Sequence, residues 1–271
     1  ETSYPQLKIG IVPFNTAVNL GTGMISFVKD TGTSRFSPTR WKGCVEARPG
    51  GQDVTDSYVE SNTANNGRWR AYGWPFTSAN PWPAVTATRG PNKNCPDAEV
   101  LPITSDRTPL DDRIDDLRAQ GNTHVNVGAV WGWRLISPTP PYTQGVAYSA
   151  GDFSKAVIIM TNGENVISTS SGQYSSYGTV GEATTKLGCS SQTCKQSRLD
   201  QRLLQVFENM KDEGIIVYTV GFDLEGNDDV LEMLEDCATT SRHFFDSPNA
   251  EDLQQAFEAI GTALSNLRIG R

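Results

Sequence analysis

The residues best placed for chemistry in this chain stand where apolar runs stop. Ala156-Val157-Ile158-Ile159-Met160-Thr161 breaks off into Asn162-Gly163-Glu164-Asn165, and Ile215-Ile216-Val217-Tyr218-Thr219-Val220-Gly221-Phe222 breaks off at Asp223. Short runs of this kind read as buried parallel strands, and open α/β sheets bind ligands at the carboxyl ends of such strands. Glu164 and Asp223 are therefore expected at one crevice. Two carboxylates there can work as general acid and base, or ligate a cation, or form a polar rim, which is the simplest of the three. Other catalytic signatures are weak. His124 has no Cys or Ser nucleophile at motif spacing and reads as a loop histidine, while His243 reads as packed in an aromatic strand. No GxGxxG follows a strand and no GxxxxGK[ST] occurs, so a phosphate cradle is absent from the sequence.

A second set is aromatic. Trp41, Trp69, Trp74 and Trp82 crowd into one irregular stretch with Tyr72 and Phe76. Indole faces stack on sugars or anchor protein interfaces, and they also serve as the core of a helix-poor subdomain. Exposure decides between the two. Trp131 and Trp133, two apart, cannot share one helix face.

The elements that must hold these residues alternate. Leu7–Phe14 reads as a strand ended near Pro13. From about residue 21 to 102 the chain is rich in Gly, Asn, Ser, Pro and Trp, with no sustained helical period. So long a loop is unusual in a compact domain and reads as an inserted, hairpin-rich subdomain. Thr108 as N-cap and Pro109 at the first helical position predict a helix whose apolar stripe is Leu110, Ile114 and Leu117, closed at Gly121. A second helix is expected over 126–133. A polar loop runs from the Ala156–Thr161 strand to about Gln196. Leu199, Leu203, Leu204, Phe207 and Met210 then mark an amphipathic helix ending at Gly214, ahead of the strand at 215–222. A helix over 228–237, a short strand at 243–245 and a last helix on Leu253, Phe257, Ile260, Leu264 and Leu267 complete the pattern. Strands alternating with helices predict an α/β fold: a doubly wound, mostly parallel sheet.

Composition narrows the partners. A chain of 271 residues can bury a large core. A formal net charge of -8 argues against nucleic acid, whose phosphates require clustered Lys and Arg. No apolar run of about 18 residues is present, so no membrane span is expected in this chain. The start, Glu1-Thr2-Ser3-Tyr4-Pro5, has no signal-peptide character and no Met, and reads as the start of a fragment or a processed form. The cysteines are Cys44, Cys95, Cys189, Cys194 and Cys237, with no CxxC pair and only two histidines, so a zinc site is not expected. Cys44 and Cys95 bracket the irregular stretch, and Cys189 and Cys194 bracket a loop. Disulfides between them imply a secreted or periplasmic chain, with Cys237 unpaired or paired with a residue outside this chain. Five reduced thiols in a cytosolic protein is the other reading.

The order KIGIVPFN, LTSDRTPLDDRIDDLRAQGNTHVNVG, WGWRLISP, KAVIIMTNGEN, IIVYTVGF, CATTSRHFFD and AEDLQQAFEAIG resembles the TadE/TadG-like tight-adherence (Flp) pilus assembly proteins, over roughly residues 7–20 and 100–267. These are membrane-anchored bacterial proteins with a von Willebrand factor A-type domain outside the cytoplasm. The resemblance implies such a domain over 1–20 and 103–271, with 21–102 as an insertion. It further implies a non-enzymatic adhesion or protein-binding module at the periplasm or cell surface, anchored by an N-terminal segment, with protein partners in the pilus or secretion machinery or a surface ligand. Thr123, Asn162, Glu164 and Asp223 at the crevice, and Trp41, Trp69, Trp74 and Trp82 in the insertion, would be the contact residues.

The family's metal-dependent adhesion site has three parts, and the chain departs from two of them. Gly121-Asn122-Thr123 matches the threonine loop. Asn162 stands where the family has Asp, and no Asp-x-Ser-x-Ser loop precedes Leu7. The strand that carries that loop is normally central, so it is expected either from upstream residues or from elsewhere. Asn keeps an oxygen but loses a charge, worth about 4 kcal/mol per opposing unit charge at about 4 Å. Mg²⁺ prefers one or two carboxylates. The expectation is therefore no cofactor, with Thr123 and Asn162 a degenerate site that only an upstream motif would complete. A metal-dependent adhesin, or a hydrolase using Glu164 and Asp223, is the alternative.

Overall fold

The computed structural model describes residues 7–32, 36, 40–74, 90–168 and 173–266. Five strands matter for the site. Strand β1 is Ile9–Ile11 and β2 is Leu101–Thr104; they pair antiparallel. Strands β3 (Ala156–Thr161), β4 (Ile216–Phe222) and β5 (Phe244–Ser247) form a separate parallel sheet in the order β5-β4-β3. The architecture is thus mixed α/β with a small parallel sheet. Along β3, Val157, Ile159 and Thr161 are buried while Ile158 and Met160 are exposed, the period-2 pattern of a strand covered on one face. Strand β4 lies between two neighbours, and its interior, Val217 to Gly221, is buried throughout.

Helices pack on both faces of β4 but cover only one face of β3. Helix α1 is Arg107–Asp115, α2 Val125–Ile136, α3 Val180–Leu187, α4 Gln192–Asp212, α5 Asp228–Cys237 and α6 Ala250–Asn266. The central support is α2, which lies beneath both sheets. A Cβ on Gly10 of β1 would come within 2.5 Å of Leu135, one on Gly128 within 2.5 Å of the Phe14 ring, and one on Gly132 within 3.4 Å of Val157 of β3. Small residues on this stripe of α2 let the strands approach closely. Helix α4 packs beside α2 on the same face of the parallel sheet, and α6 lies on the opposite face, where Ile260 covers Tyr218 and Val220. No helix among the described residues is long and apolar enough to cross a membrane.

Where it is described, the irregular stretch consists of two-residue strands and 3₁₀ turns. Val18–Asn19 pairs with Cys44–Val45, and Val28–Lys29 with Trp69–Arg70. Its core is continuous with that of the helices. Trp69 stacks on Tyr58 at 5.4 Å and meets Trp131 of α2 at 5.0 Å. The Arg134 guanidinium lies 4.8 Å from the Trp131 ring centroid and donates to the backbone oxygens of Gln52 and Thr55. Asp53 pairs with Arg202 of α4, and Glu46 with Lys186 of α3, both carboxylates being buried. Disulfides Cys44–Cys95 and Cys189–Cys194 are present, and Cys237 is free and buried. Two disulfides are the mark of a chain that matures in an oxidising, non-cytoplasmic compartment.

Several local expectations shift. Helix α1 has Asp106 rather than Thr108 at its N-cap position, with no side-chain cap bond, and stops at Asp115, six positions before Gly121, which instead turns with φ 70° ahead of α2. Its stripe of Leu110, Ile114 and Leu117 is not buried: α1 contains no buried residue, and Ile114 and Leu117 are exposed. Helix α2 is longer than 126–133, and it buries both Trp131 and Trp133 because it is wrapped on nearly every side. The loop after β3 contains α3, whose Thr179–Glu182 capping box and left-handed Gly188 are ordinary start and stop signals.

Candidate functional site

The carboxyl ends of β3 and β4 do come together. Gly221 is opposite both Thr161 and Asp246, so the residues after these positions form one rim. Asn162, Glu164 and Asp223 are all exposed on it. The Thr161 hydroxyl turns back to donate to the Gly163 oxygen at 3.0 Å, which lets the chain leave the strand in a tight turn. Glu164 accepts from Gln196 at the start of α4. Asp223 has φ 53°, and its N–H donates to the Ser247 oxygen at 3.1 Å. A left-handed Asp is uncommon, and the backbone bond to β5 holds it there.

The residue of this loop on which the fold depends is Asn165, which is fully buried. Its Oδ1 accepts from the Val125 N–H at 2.7 Å, and its Nδ2 donates to Asp200 at 2.8 Å. The first N–H groups of a helix have no internal acceptor. His124 occupies the N-cap position of α2 and makes no capping bond, so a side chain from the β3 loop supplies it instead. Thr123 is not the cap either; its backbone oxygen accepts from Val166 at 2.9 Å. Sequence reasoning missed Asn165 because a cap from 40 residues away leaves no local signature.

His124 was expected to be an ordinary loop histidine; it is fully buried. Burial pushes its pKa down to about 4, against a weaker upward pull from the Val166 backbone. Neither ring nitrogen makes a well-formed hydrogen bond. The ring lines a cavity of about 100 Å³ with Thr16, Asn122, Gln173, Ser175 and Tyr174. The lining carries no charged side chain, and the space suffices for ordered water between neutral polar groups. A second hollow, of about 330 Å³, lies at the amino ends of β3 and β4 around Tyr148, Lys155 and Glu213.

The tryptophans correct one expectation. Trp41, Trp69 and Trp74 are buried, so they form the interior of the irregular stretch and offer no contact surface. The cause is compositional: a segment with almost no regular structure fills its interior with large rings. Trp82 and Phe76 lie outside the described residues.

Among the described residues no three His, Cys, Asp or Glu side chains converge as a metal site. Asn162 and Thr123 offer one amide and one hydroxyl, with no carboxylate between them. Glu164 accepts from Gln196, and neither of the two cavities described above is lined by Glu164 or Asp223. Compared with known proteins, the chain matches no protein-family model and no curated protein.

Proposed function

We propose that this chain is a non-enzymatic, extracytoplasmic protein-binding module of the tight-adherence pilus type, with a von Willebrand A-like sheet. The observation that carries the reading is the exposed rim at the parallel strand ends. There Asn162 and Asp223 are exposed beside Glu164 and make no side-chain bond among the described residues. The two disulfides fit a periplasmic or cell-surface setting. The sequence resemblance supplies the pilus context. Among the described residues the contact surface is the rim, since the described tryptophans are interior.

The test is a charge reversal of the rim, Glu164→Lys with Asp223→Lys, in a piliated bacterium that carries this protein. Surface attachment is expected to fall while the urea midpoint of the purified variant stays at the wild-type value. Full attachment by a variant that folds normally would overturn the proposal.

A further inference from the structure

In an Asn-Gly pair the main chain can attack the side chain before it. Glycine has no Cβ, so its nitrogen reaches the preceding amide carbon with little hindrance. The chain contains two such pairs, Asn66-Gly67 and Asn162-Gly163. The fold holds one and leaves the other free.

Asn66 is held on every side. Its Nδ2 donates to the Ser57 hydroxyl at 2.8 Å, and its main-chain oxygen accepts from Arg48 and from the Val59 N–H, each at 3.0 Å. Gly67 is buried, and its N–H donates to the Ala64 oxygen at 3.0 Å. A Cβ on Gly67 would lie 2.2 Å from the Ser61 oxygen, so the turn has no room to move. The Gly67 nitrogen reaches the Asn66 side chain only if these bonds break.

Asn162 has none of these restraints. Its side chain is exposed and makes no bond among the described residues. A Cβ on Gly163 would meet nothing within 4 Å. The Gly163 N–H is held by a long bond to the Thr161 hydroxyl, at 3.3 Å, and that hydroxyl itself donates to the Gly163 oxygen at 3.0 Å. Both ends of the turn are anchored. Thr161 pairs with Gly221 in the sheet, and Asn165 is fixed to Val125 and Asp200. The residues between these anchors can rearrange while β3 and α2 stay in place.

We infer that Asn162 is a site of spontaneous deamidation in the folded protein, and that Asn66 is protected from it. Water or hydroxide takes the proton of the Gly163 nitrogen, which bonds to the Asn162 Cγ. The Cγ–Nδ2 bond breaks and Nδ2 leaves as ammonia, closing a cyclic imide. Water then opens the ring. Attack at Cγ gives an aspartate at position 162. Attack at the main-chain carbonyl gives an isoaspartate, whose backbone is longer by a methylene. Either product places a new carboxylate beside Glu164 and Asp223 on the rim. The inference is independent of the proposed binding role, since it rests on the chemistry of the turn alone.

The test incubates the purified natural protein in mildly alkaline buffer, folded and in urea. Mass spectrometry that resolves aspartyl from isoaspartyl products follows the peptides carrying Asn66 and Asn162. In the folded protein the Asn162 peptide converts about tenfold or more faster, because the bonds that hold Asn66 and Gly67 add to the barrier there. In urea the two convert at similar rates. Gly163→Ala, which puts a Cβ into open space, slows conversion at position 162 by a similar factor. No conversion at Asn162 in the folded protein, or conversion at Asn66 just as fast, would overturn the inference. So would selectivity that persists in urea, since sequence and not fold would then be its source, or wild-type conversion in a folded Gly163→Ala. The comparison of the two sites stands even if that variant misfolds.

Discussion

Replacing Asn165 by Ala separates the structural residue of the β3 loop from its exposed neighbour. Asn165 is fully buried and makes two bonds, to the Val125 N–H at 2.7 Å and to Asp200 at 2.8 Å. Its loss leaves the Val125 N–H buried without an acceptor, which costs about 1–3 kcal/mol, and removes a bond to a carboxylate worth roughly 1.5–3 kcal/mol. The two terms share one side chain and are not additive, so about 3 kcal/mol is expected. Asn162 is exposed and makes no side-chain bond among the described residues, so Asn162→Ala is expected within about 0.5 kcal/mol of wild type. Urea denaturation followed by circular dichroism measures both. Asn165→Ala shifts the midpoint down by about 1 M at a slope of about 3 kcal/mol/M, with the slope unchanged.

The Asp variant adds a sign. Burial raises the pKa of Asp200, and the Asn165 bond pulls it back down. Asn165→Asp keeps an acceptor for Val125 but replaces that pull with repulsion. A carboxyl whose folded pKa is raised contributes stability below its unfolded pKa and loses it as pH rises through the folded value. Asn165→Asp is therefore worst at neutral pH and recovers toward pH about 4 relative to Asn165→Ala. Equal stability of Asn165→Ala and Asn162→Ala, or a flat pH response of Asn165→Asp, would refute the idea that the β3 loop caps α2.

Two other outcomes follow from the same geometry. His124 is buried with its pKa at about 4, below the ordinary 6.5, so its contribution is complete above the unfolded value and is lost as pH falls toward 4; the difference between wild type and His124→Leu should change by about 3 kcal/mol between pH 7 and 4 in paired urea titrations, and a constant difference would contradict it. Cys44–Cys95 closes a loop of 51 positions and Cys189–Cys194 one of 5, so loop entropy assigns them about 4 and about 2 kcal/mol; calorimetric melting of Cys44→Ala with Cys95→Ala against Cys189→Ala with Cys194→Ala should show the first pair losing more, and the reverse order would count against it.

The sequence by itself determined what short-range pattern can determine. The apolar runs at 156–161 and 216–222 read as strands and the 3.6-residue stripe from Leu199 to Met210 as a helix, and the structure has both. The cysteine brackets were equally direct, because each pair flanks the segment it closes. What only the tertiary structure decided depends on partners distant in sequence. Whether Trp69 was a core residue or a contact residue turned on Trp131, 62 positions away, and on the stacking of Tyr58. The cap of α2 came from Asn165, so neither Thr123 nor any other neighbouring residue could signal it. The stripe on α1 was legible, yet its exposure was not, because burial belongs to the surface a helix meets and not to the helix. The sheet is divided for the same reason. Each strand carries its own alternation, but only the tertiary arrangement puts β1 with β2 in one sheet and β3 with β4 and β5 in another, with Ile158 and Met160 exposed.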